Sequence, residues 1–221
     1  MEKMPYQPSL DTAVLPAAID RPEPSAPDWR RDLPALRGAM VTLREMRIAD
    51  APALFAALTT EQVSRFISPP PSSVEGFERF IAWSQRQRAA GQYVCFAVVP
   101  HGSDVAIGLY QIRSLEPAFG TSEWGFALAE EFWGSGVFMD GAKLAATFAF
   151  EVLGVRRLEA RAAVRNGRGI GALRKLGAVQ EGLLRRSLLR HGEWLDQSLW
   201  TLLADEWHGG RDLWIAASVV H

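Results

Sequence analysis

Two glycines stand where a strand pattern gives way to a helix pattern, and this arrangement can bind an anion. Phe132-Trp133-Gly134-Ser135-Gly136 leads directly into an apolar helix predicted over 139–153. The first N–H groups of a helix lack intrahelical acceptors, and glycine lets phosphate oxygens approach the main chain. Gly134 and Gly136 are therefore candidates for a phosphate-binding loop. The alternative is that they only form a tight turn between the two elements.

The loop does not fit two common nucleotide-binding motifs. A P-loop requires Gly-Lys-Ser/Thr, whereas Gly141 is followed by Ala142-Lys143-Leu144. A dinucleotide-binding loop requires glycine or alanine where this chain has Met139. ATP and NAD are thus disfavoured as ligands.

Basic residues are concentrated in one segment of the chain. Between Arg156 and Arg190, ten basic residues and two acidic ones give a net charge of +8, which leaves −9 for the rest of a chain whose total is −1. A local basic surface in an otherwise acidic protein favours a compact polyanionic ligand over a long nucleic acid. The alternative is a solvated, arginine-rich face.

The composition is that of a globular protein. The chain has 221 residues, of which 48% are hydrophobic and 22% charged, and this length suffices for one well-filled domain. No window approaches the ~20 apolar residues of a membrane span, and the N-terminus does not resemble a signal peptide. We therefore expect a cytoplasmic protein without a membrane partner. Cys95 lies in the apolar run 93–99, which predicts a buried thiol and no metal site.

Apolar periodicity predicts an α+β domain. Asp50 is predicted to cap the first helix, and Ser72 with Glu75 forms a capping-box signature for the second. Three strand patterns between 93 and 129 predict an antiparallel meander, and His191-Gly192 predicts a final hairpin. The predicted strands are 40–47, 93–99, 105–113, 121–129, 157–164, 178–190 and 197–204, and the predicted helices are 51–58, 72–90, 139–153 and 166–176.

The N-terminal region differs in composition from the rest. Seven of the thirteen prolines fall in residues 1–36, which show no apolar periodicity. Such a stretch is typical of a mobile arm. We therefore predict an arm over 1–37, a domain over 38–207 and a C-terminal tail over 208–221.

Five motifs in order resemble the GCN5-related N-acetyltransferases (GNAT), and more narrowly the branch with ribosomal-protein N-terminal acetyltransferases. The resemblance covers roughly 38–207. It implies a GNAT fold: a mixed, mostly antiparallel central sheet of about seven strands flanked by about four helices, with two central strands that splay apart to admit acetyl-CoA. The motifs are Ser122-Glu123-Trp124-Gly125-Phe126, Phe132–Gly136, Arg157–Ala160, the loop with Asn166, and Asp205-Glu206-Trp207.

The resemblance also implies which residues hold acetyl-CoA. Pantetheine would pair with the strand around Phe126, Ala127 and Leu128, and Asn166 would hydrogen-bond the pantetheine arm. Basic side chains such as Arg168, Arg174 or Lys175 would meet the 3′-phosphate. Phe138 is bulkier than the glycine or alanine of the family motif. The pyrophosphate would be held by the main-chain N–H groups of Gly134, Ser135, Gly136, Val137 and Phe138.

Two carboxylates fall on the strands that the resemblance places at the splay. Glu123 precedes the glycine loop, and Glu159 follows the helix after it. An amine arrives mostly as ammonium and must lose a proton before it attacks a thioester. Either glutamate would act as the base, directly or through water, with Glu123 favoured because its motif lies on the strand whose main chain would also meet the cofactor. The alternatives are a salt bridge for Glu159 and an exposed strand start for Glu123.

The general acid is missing from its family position. The family often has a tyrosine seven residues beyond the asparagine, where this chain has Leu173. The sequence thus leaves two functions open: direct transfer of an acetyl group to a primary amine, on a protein N-terminus or a small molecule, or an acyl-CoA-binding regulatory module with little turnover. Nucleic-acid binding is the least supported function, and a homodimer stays open.

Overall fold

One eight-stranded sheet organises the chain in the computed structural model, which describes residues 28–207. Its spatial order is β1-β2-β3-β4-β5-β6-β8-β7. Neighbouring strands are antiparallel except for β5 and β6, which run parallel. The strands are β1 (Leu36–Arg37), β2 (Val41–Glu45), β3 (Tyr93–Pro100), β4 (Gly108–Ser114), β5 (Thr121–Leu128), β6 (Arg157–Ala163), β7 (Val179–Arg190) and β8 (Glu193–Leu203).

Helices cover both faces of this sheet. Helices α1 and α3 pack on one face of its first half, with Leu54, Phe77 and Ile81 among the buried residues. Helix α4 packs on the opposite face, where Phe148 meets Phe96 edge to face at 5.1 Å between ring centroids. The helices are α1 (Ala51–Leu58), α2 (Glu61–Ser64), α3 (Val74–Ala89), α4 (Val137–Glu151) and α5 (Gly167–Leu176).

The predicted fold class is confirmed. The seven predicted strands correspond to β2–β8 and the four predicted helices to α1, α3, α4 and α5. Strand β1 and helix α2 were not predicted, because two and four residues are too short to show a period. Burial on both sheet faces explains the continuous apolar run of β3. Cys95 is buried there, as predicted, and burial raises the pKa of its thiol to about 12.

One of the two predicted helix caps is wrong by one residue, and the other is confirmed in position. Ser73, not Ser72, caps α3 by accepting the Gly76 N–H at 3.1 Å. Asp50 is the N-cap residue of α1, with Pro52 in the first turn, as predicted. Its carboxylate accepts the Arg47 N–H at 2.7 Å and pairs with the Arg44 guanidinium at 2.7 Å, so it makes no capping hydrogen bond to α1.

The end of the predicted arm packs on the domain. Trp29 is 8% exposed and meets Phe119 edge to face at 5.5 Å between ring centroids. The Arg88 guanidinium donates to the main-chain oxygens of Trp29 and Arg30. Strand β1 extends the sheet beside β2. Residues 28–37 are therefore part of the folded domain, whereas residues 1–27 and the predicted tail 208–221 lie outside the described residues.

A carboxylate ties the start of α4 to the N-terminal strands. Asp140, in the first turn of α4, accepts the N–H groups of Ala39, Met40 and Val41 at 3.0, 2.8 and 3.0 Å. Gly38 is required beside it, because a Cβ there would lie 2.3 Å from the carboxylate. This contact fixes the position of the helix N-terminus relative to the sheet.

Between residues 28 and 207, the helices are all too short or too polar to cross a membrane.

Candidate active site

The parallel pair β5 and β6 separates along its length. Main-chain pairing joins Thr121 to Arg157, Ser122 to Leu158 and Glu123 to Glu159. Beyond these pairs β5 continues to Leu128 and β6 to Ala163 without pairing to each other. The predicted splay thus begins directly after the two predicted glutamates.

A cleft of about 760 Å³ passes through the sheet at this fork. Successive residues of a strand point to opposite faces, and both faces of β5 contribute to the lining. Glu123 and Ala127 line the cleft from the α3 side, and Trp124 and Phe126 line it from the α5 side. Residues from both faces of the sheet therefore line one cleft.

The main chain of β5 offers hydrogen-bonding groups to the fork at alternate residues. Ala129 donates to the Ile107 carbonyl at 2.8 Å, and the Thr121 carbonyl accepts from Leu115 at 3.0 Å, so odd-numbered residues pair with β4. Phe126 and Leu128 consequently direct their peptide groups into the fork. The indole of Trp133 already donates to the Leu128 carbonyl at 2.9 Å. Ala127 contributes its side chain to the cleft, while its peptide groups face β4.

The glycine loop has the geometry that an anion site needs. Gly134 and Gly136 have φ angles of +77° and +95°, which favour glycine, and Gly136 is the N-cap of α4. A Cβ at Gly134 would meet no atom within 4 Å, so the loop is open on that side. The first-turn N–H groups of Val137 and Phe138 lack intrahelical acceptors. These groups fit a pyrophosphate at the helix N-terminus.

The bulk of Phe138 is accommodated away from the open side of the loop. Its ring packs on Phe126 at 4.6 Å between centroids, and its carbonyl accepts the Tyr110 hydroxyl at 2.7 Å. Burial raises the pKa of Tyr110 well above its ordinary value, which keeps the hydroxyl a donor. Phe138, which stands where the family motif has glycine or alanine, therefore adds an aromatic contact without closing the loop.

The loop after β6 brings Asn166 to the cleft, and the first turn of α5 brings Arg168 to the glycine loop. Asn166 lines it and caps α5, because its Oδ1 accepts the Gly169 N–H at 2.9 Å. The Nδ2 group is then left for a ligand. The Arg168 guanidinium stacks over the Trp133 ring at 4.4 Å, beside the glycine loop. Lys175 lies in the last turn of α5, about 10 Å further along the helix axis, so it is not brought to the loop with Arg168.

The two predicted glutamates have different surroundings. Glu123 lines the cleft, with its Oε2 2.5 Å from Arg113 Nη2 and its Oε1 3.6 Å from Arg161 Nε. Glu159 accepts from Arg157 Nε at 2.8 Å and is not among the cleft-lining residues.

The same Arg157 also binds Glu181. Together with the Thr201 hydroxyl it lowers the pKa of the Glu181 carboxyl to about 2. Glu159 thus belongs to an ion cluster beside the cleft, and Glu123 to the cleft itself.

The basic side chains between Arg156 and Arg190 have several different partners. Besides Arg157 and Arg161, Arg165 pairs with Glu193 at 2.9 Å, and Arg190 donates to the Ser64 carbonyl at 2.6 Å. Arg174 lies over the Trp200 ring. In the described part of the chain, carboxylates therefore offset the charge of three of the ten basic residues, Arg157, Arg161 and Arg165.

Sequence patterns do not single out the residues on the α3 side of the cleft. The helical period places Phe80 on a core face, it assigns no function to Trp83, and the proline run indicates only a break between helices. A sequence signal is nevertheless present, because the proline run, Phe80 and Trp83 lie close together along the chain, in and just before α3. The missed lining residues include Phe66, Ile67, Pro69, Pro70, Pro71, Phe80, Trp83, Tyr93, Gln111 and Arg113.

A mixed sheet that forks at a parallel strand pair, with a glycine loop opening the next helix, defines a class of coenzyme-binding transferases. A family model described as "Acetyltransferase (GNAT) domain" matches residues 40–179. The chain therefore belongs to the GNAT family and is an acetyltransferase, as its sequence predicted.

Named relatives agree with this assignment. "Uncharacterized N-acetyltransferase p20" of Bacillus licheniformis is 26% identical over 170 residues, which cover 76% of this chain and 96% of the relative. "Putative ribosomal N-acetyltransferase YdaF" of Bacillus subtilis (strain 168) is 29% identical over 177 residues, which cover 77% and 95%.

Solved structures share the fold. A structure described as a "putative acetyltransferase" from T. thermophilus has a TM-score of 0.69 at 28% identity, covering 83% of this chain and 96% of that one. "Mycobacterium smegmatis RimJ in complex with CoA-disulfide" has a TM-score of 0.70 at 22% identity, covering 78% and 87%. The latter likeness is one of fold.

Asn166 offers a test that separates ligand binding from helix capping. We expect Asn166→Ala to weaken acetyl-CoA binding by ~0.5–1.5 kcal/mol through loss of the Nδ2 donor, and to destabilise the fold by ~1 kcal/mol through loss of the cap. Asn166→Ser retains a capping oxygen and should show only the binding loss. Titration calorimetry and thermal unfolding measure the two effects. Wild-type affinity in Asn166→Ser would refute the placement of the amide beside the ligand.

Proposed function

We propose that this chain transfers an acetyl group from acetyl-CoA to a primary amine, directly and within a ternary complex. The observation that carries the proposal is the cleft through the sheet. On one side it meets the open peptide groups of β5 and the amide of Asn166, and on the other it meets the Glu123 carboxylate. Donor and acceptor can therefore occupy one cleft from opposite faces of the sheet.

The residues that would hold acetyl-CoA lie along one path. First-turn N–H groups of the Gly134–Phe138 loop would bind the pyrophosphate, with the Arg168 guanidinium nearby for a phosphate. The peptide groups of Phe126 and the Asn166 amide would bind the pantetheine arm. The coenzyme supplies an acetyl group as a thioester, whose carbonyl is activated toward an amine.

Glu123 would remove the proton that blocks the amine. A free α-amino group has a pKa of about 7.7–8.0 and a lysine side chain about 10.4, so both are largely protonated at neutral pH. The Glu123 carboxylate would accept this proton directly or through a water molecule. The Leu128 N–H, which the strand alternation directs into the fork, would donate to the carbonyl oxygen of the donor.

Leu173 occupies the family position for a general acid. It is buried and lines the cleft, and an aliphatic side chain cannot supply a proton. We therefore propose that the departing thiolate takes its proton from water.

Two classes of acceptor amine fit this proposal: a protein N-terminus and a small molecule. The similarity to a relative named for ribosomal N-acetylation supports a protein N-terminus. The runner-up function, an acyl-CoA-binding module without turnover, is suggested by the missing acid at Leu173.

Release of free thiol tests the proposal. We expect the full chain with acetyl-CoA to release CoA thiol only when an accepted amine is added, with formation of the acetylated amine detected by mass spectrometry. Tight acetyl-CoA binding without thiol release over a broad panel of amines and N-terminal peptides would favour the module without turnover instead.

A further inference from the structure

The half of the cleft on the α3 side is walled by aromatic rings. Trp83 stacks on Phe80 at 6.1 Å between ring centroids and lies 4.9 Å from the Tyr93 ring. All three line the cleft, yet Trp83 keeps 40% of its surface exposed. An exposed indole inside a cleft provides an apolar contact surface that a ligand can cover.

A second part of the cleft lining also carries no charge. It comes from the loop between α2 and α3, where Phe66, Ile67, Ser68 and the run Pro69–Pro71 line the cleft. An acceptor that enters here meets uncharged side chains from both α3 and this loop. A bulky hydrophobic group on the acceptor would therefore be desolvated with little loss of polar contacts.

The charged residues of the cleft are few and mainly basic. Among the described residues that line it, Arg113, Glu123 and Arg161 carry charge, a balance of +1. A guanidinium has five N–H donors, so Arg113 can hold Glu123 and still donate to a second carboxylate or carbonyl. A polycationic acceptor would find one carboxylate between two guanidinium groups, which disfavours its binding.

We propose that the acceptor is the α-amine of an amino-acid unit with an aromatic or large apolar side chain, and that Trp83 and Arg113 select it. This inference rests on the proposed acetyl transfer. The side chain would lie against Trp83, the amine would point toward Glu123, and the carboxylate or carbonyl next to the amine would accept from Arg113. A free amino acid and a protein N-terminus share this chemistry, whereas polyamines and aminoglycosides do not.

Thiol release with a defined amine panel tests this selection. The test acceptors are L-phenylalanine, L-phenylalaninamide and the peptide Phe-Gly-Gly. Their matched controls are glycine, glycinamide and the peptide Gly-Gly-Gly, and spermidine and kanamycin complete the panel. We expect each phenylalanine acceptor to exceed its glycine counterpart by about 10-fold or more in kcat/KM, as is typical of a hydrophobic pocket. Preference for the free acid would indicate a small-molecule acceptor, and preference for the peptide a protein N-terminus.

Variants of Trp83 and Arg113, each with a matched control, test whether these residues select the acceptor. Trp83→Ala should raise KM for the phenylalanine acceptors by about 3- to 10-fold and leave the glycine acceptors unchanged. Trp194→Ala, an exposed tryptophan outside the cleft lining, should have no such effect. Arg113→Gln should raise KM more for L-phenylalanine than for its amide, whereas Arg165→Gln, which breaks a comparable ion pair with Glu193, should not.

The outcomes separate this inference from the proposed function. Acetylation of spermidine or glycine as fast as that of the phenylalanine acceptors, or unchanged selectivity in Trp83→Ala, would overturn the inference and leave acetyl transfer standing. Absence of thiol release with every amine of the panel, despite acetyl-CoA binding, would overturn both.

Discussion

Replacement of Glu123 by glutamine is expected to lower kcat by about 10²- to 10⁴-fold at neutral pH, the usual contribution of a positioned general base. Affinity for acetyl-CoA should stay nearly unchanged, because Glu123 lies on the α3 side of the cleft, away from the glycine loop. Stability should change little as well. The ion pair with Arg113 is solvent-accessible, and such pairs contribute ~0–1 kcal/mol.

The pH dependence provides a second measure of the same role. In the wild-type protein, kcat/KM should rise with pH on a limb set by the base or by the amine itself. In Glu123→Gln, higher pH should restore part of the lost rate, because more of the amine is then already neutral. A loss of rate that no pH change relieves would indicate a structural cause instead.

Glu159→Gln is the matched control. Glu159 is the residue opposite Glu123 in the register, but it is bound to Arg157 outside the cleft lining. We expect its replacement to leave kcat nearly unchanged. If Glu159→Gln lost activity while Glu123→Gln retained it, the role of base would pass to Glu159.

The second large effect is expected at the glycine loop. Ser135→Asp should weaken acetyl-CoA binding by about 10- to 100-fold, since two like charges about 4 Å apart repel by ~1–4 kcal/mol between bulk water and a protein surface. Ser135 is preferable to the glycines for this test, because Gly134 and Gly136 have positive φ angles that any side chain would strain. Titration calorimetry measures the change.

Ser135→Asn separates charge from shape in this experiment. It has nearly the same size as aspartate and also loses the serine hydroxyl that donates to the Phe132 carbonyl at 2.7 Å. Its affinity should therefore stay much closer to wild type. Equal affinities for the two variants, both folded, would show that the pyrophosphate does not bind at this loop.

The strands and long helices could be predicted because their residues repeat with a clear period. The apolar run of β3 and the helix after Gly136 are examples, and the order of the motifs indicated the fork. The apposition of Glu123 and Glu159 followed from that resemblance rather than from any local pattern. The pairing of Glu123 with Arg113 could not be predicted, because it arises from the register of β4 and β5. The pairing of Glu159 with Arg157, two residues away on β6, is the salt bridge that the sequence left as an alternative.

Tertiary contacts explain the features that the sequence did not predict. Trp29 lies in a proline-rich stretch without an apolar period, and its burial depends on Phe119, ninety positions further along the chain. The aromatic wall of the cleft depends in the same way on α3 packing beside β3. Phe138 looked too bulky for its motif position, yet the neighbouring Phe126 and Tyr110 accommodate it.

The fork also leaves main-chain groups inside the sheet without a strand partner. Unpaired strand edges normally lie at the rim of a sheet, where another chain can add to them. Here the peptide groups of Phe126 and Leu128 form such an edge within the sheet, and Trp133 covers one of its acceptors. A bound coenzyme arm would act as a surrogate strand. The coenzyme arm would thereby satisfy main-chain groups that the splay of β5 and β6 leaves without a strand partner.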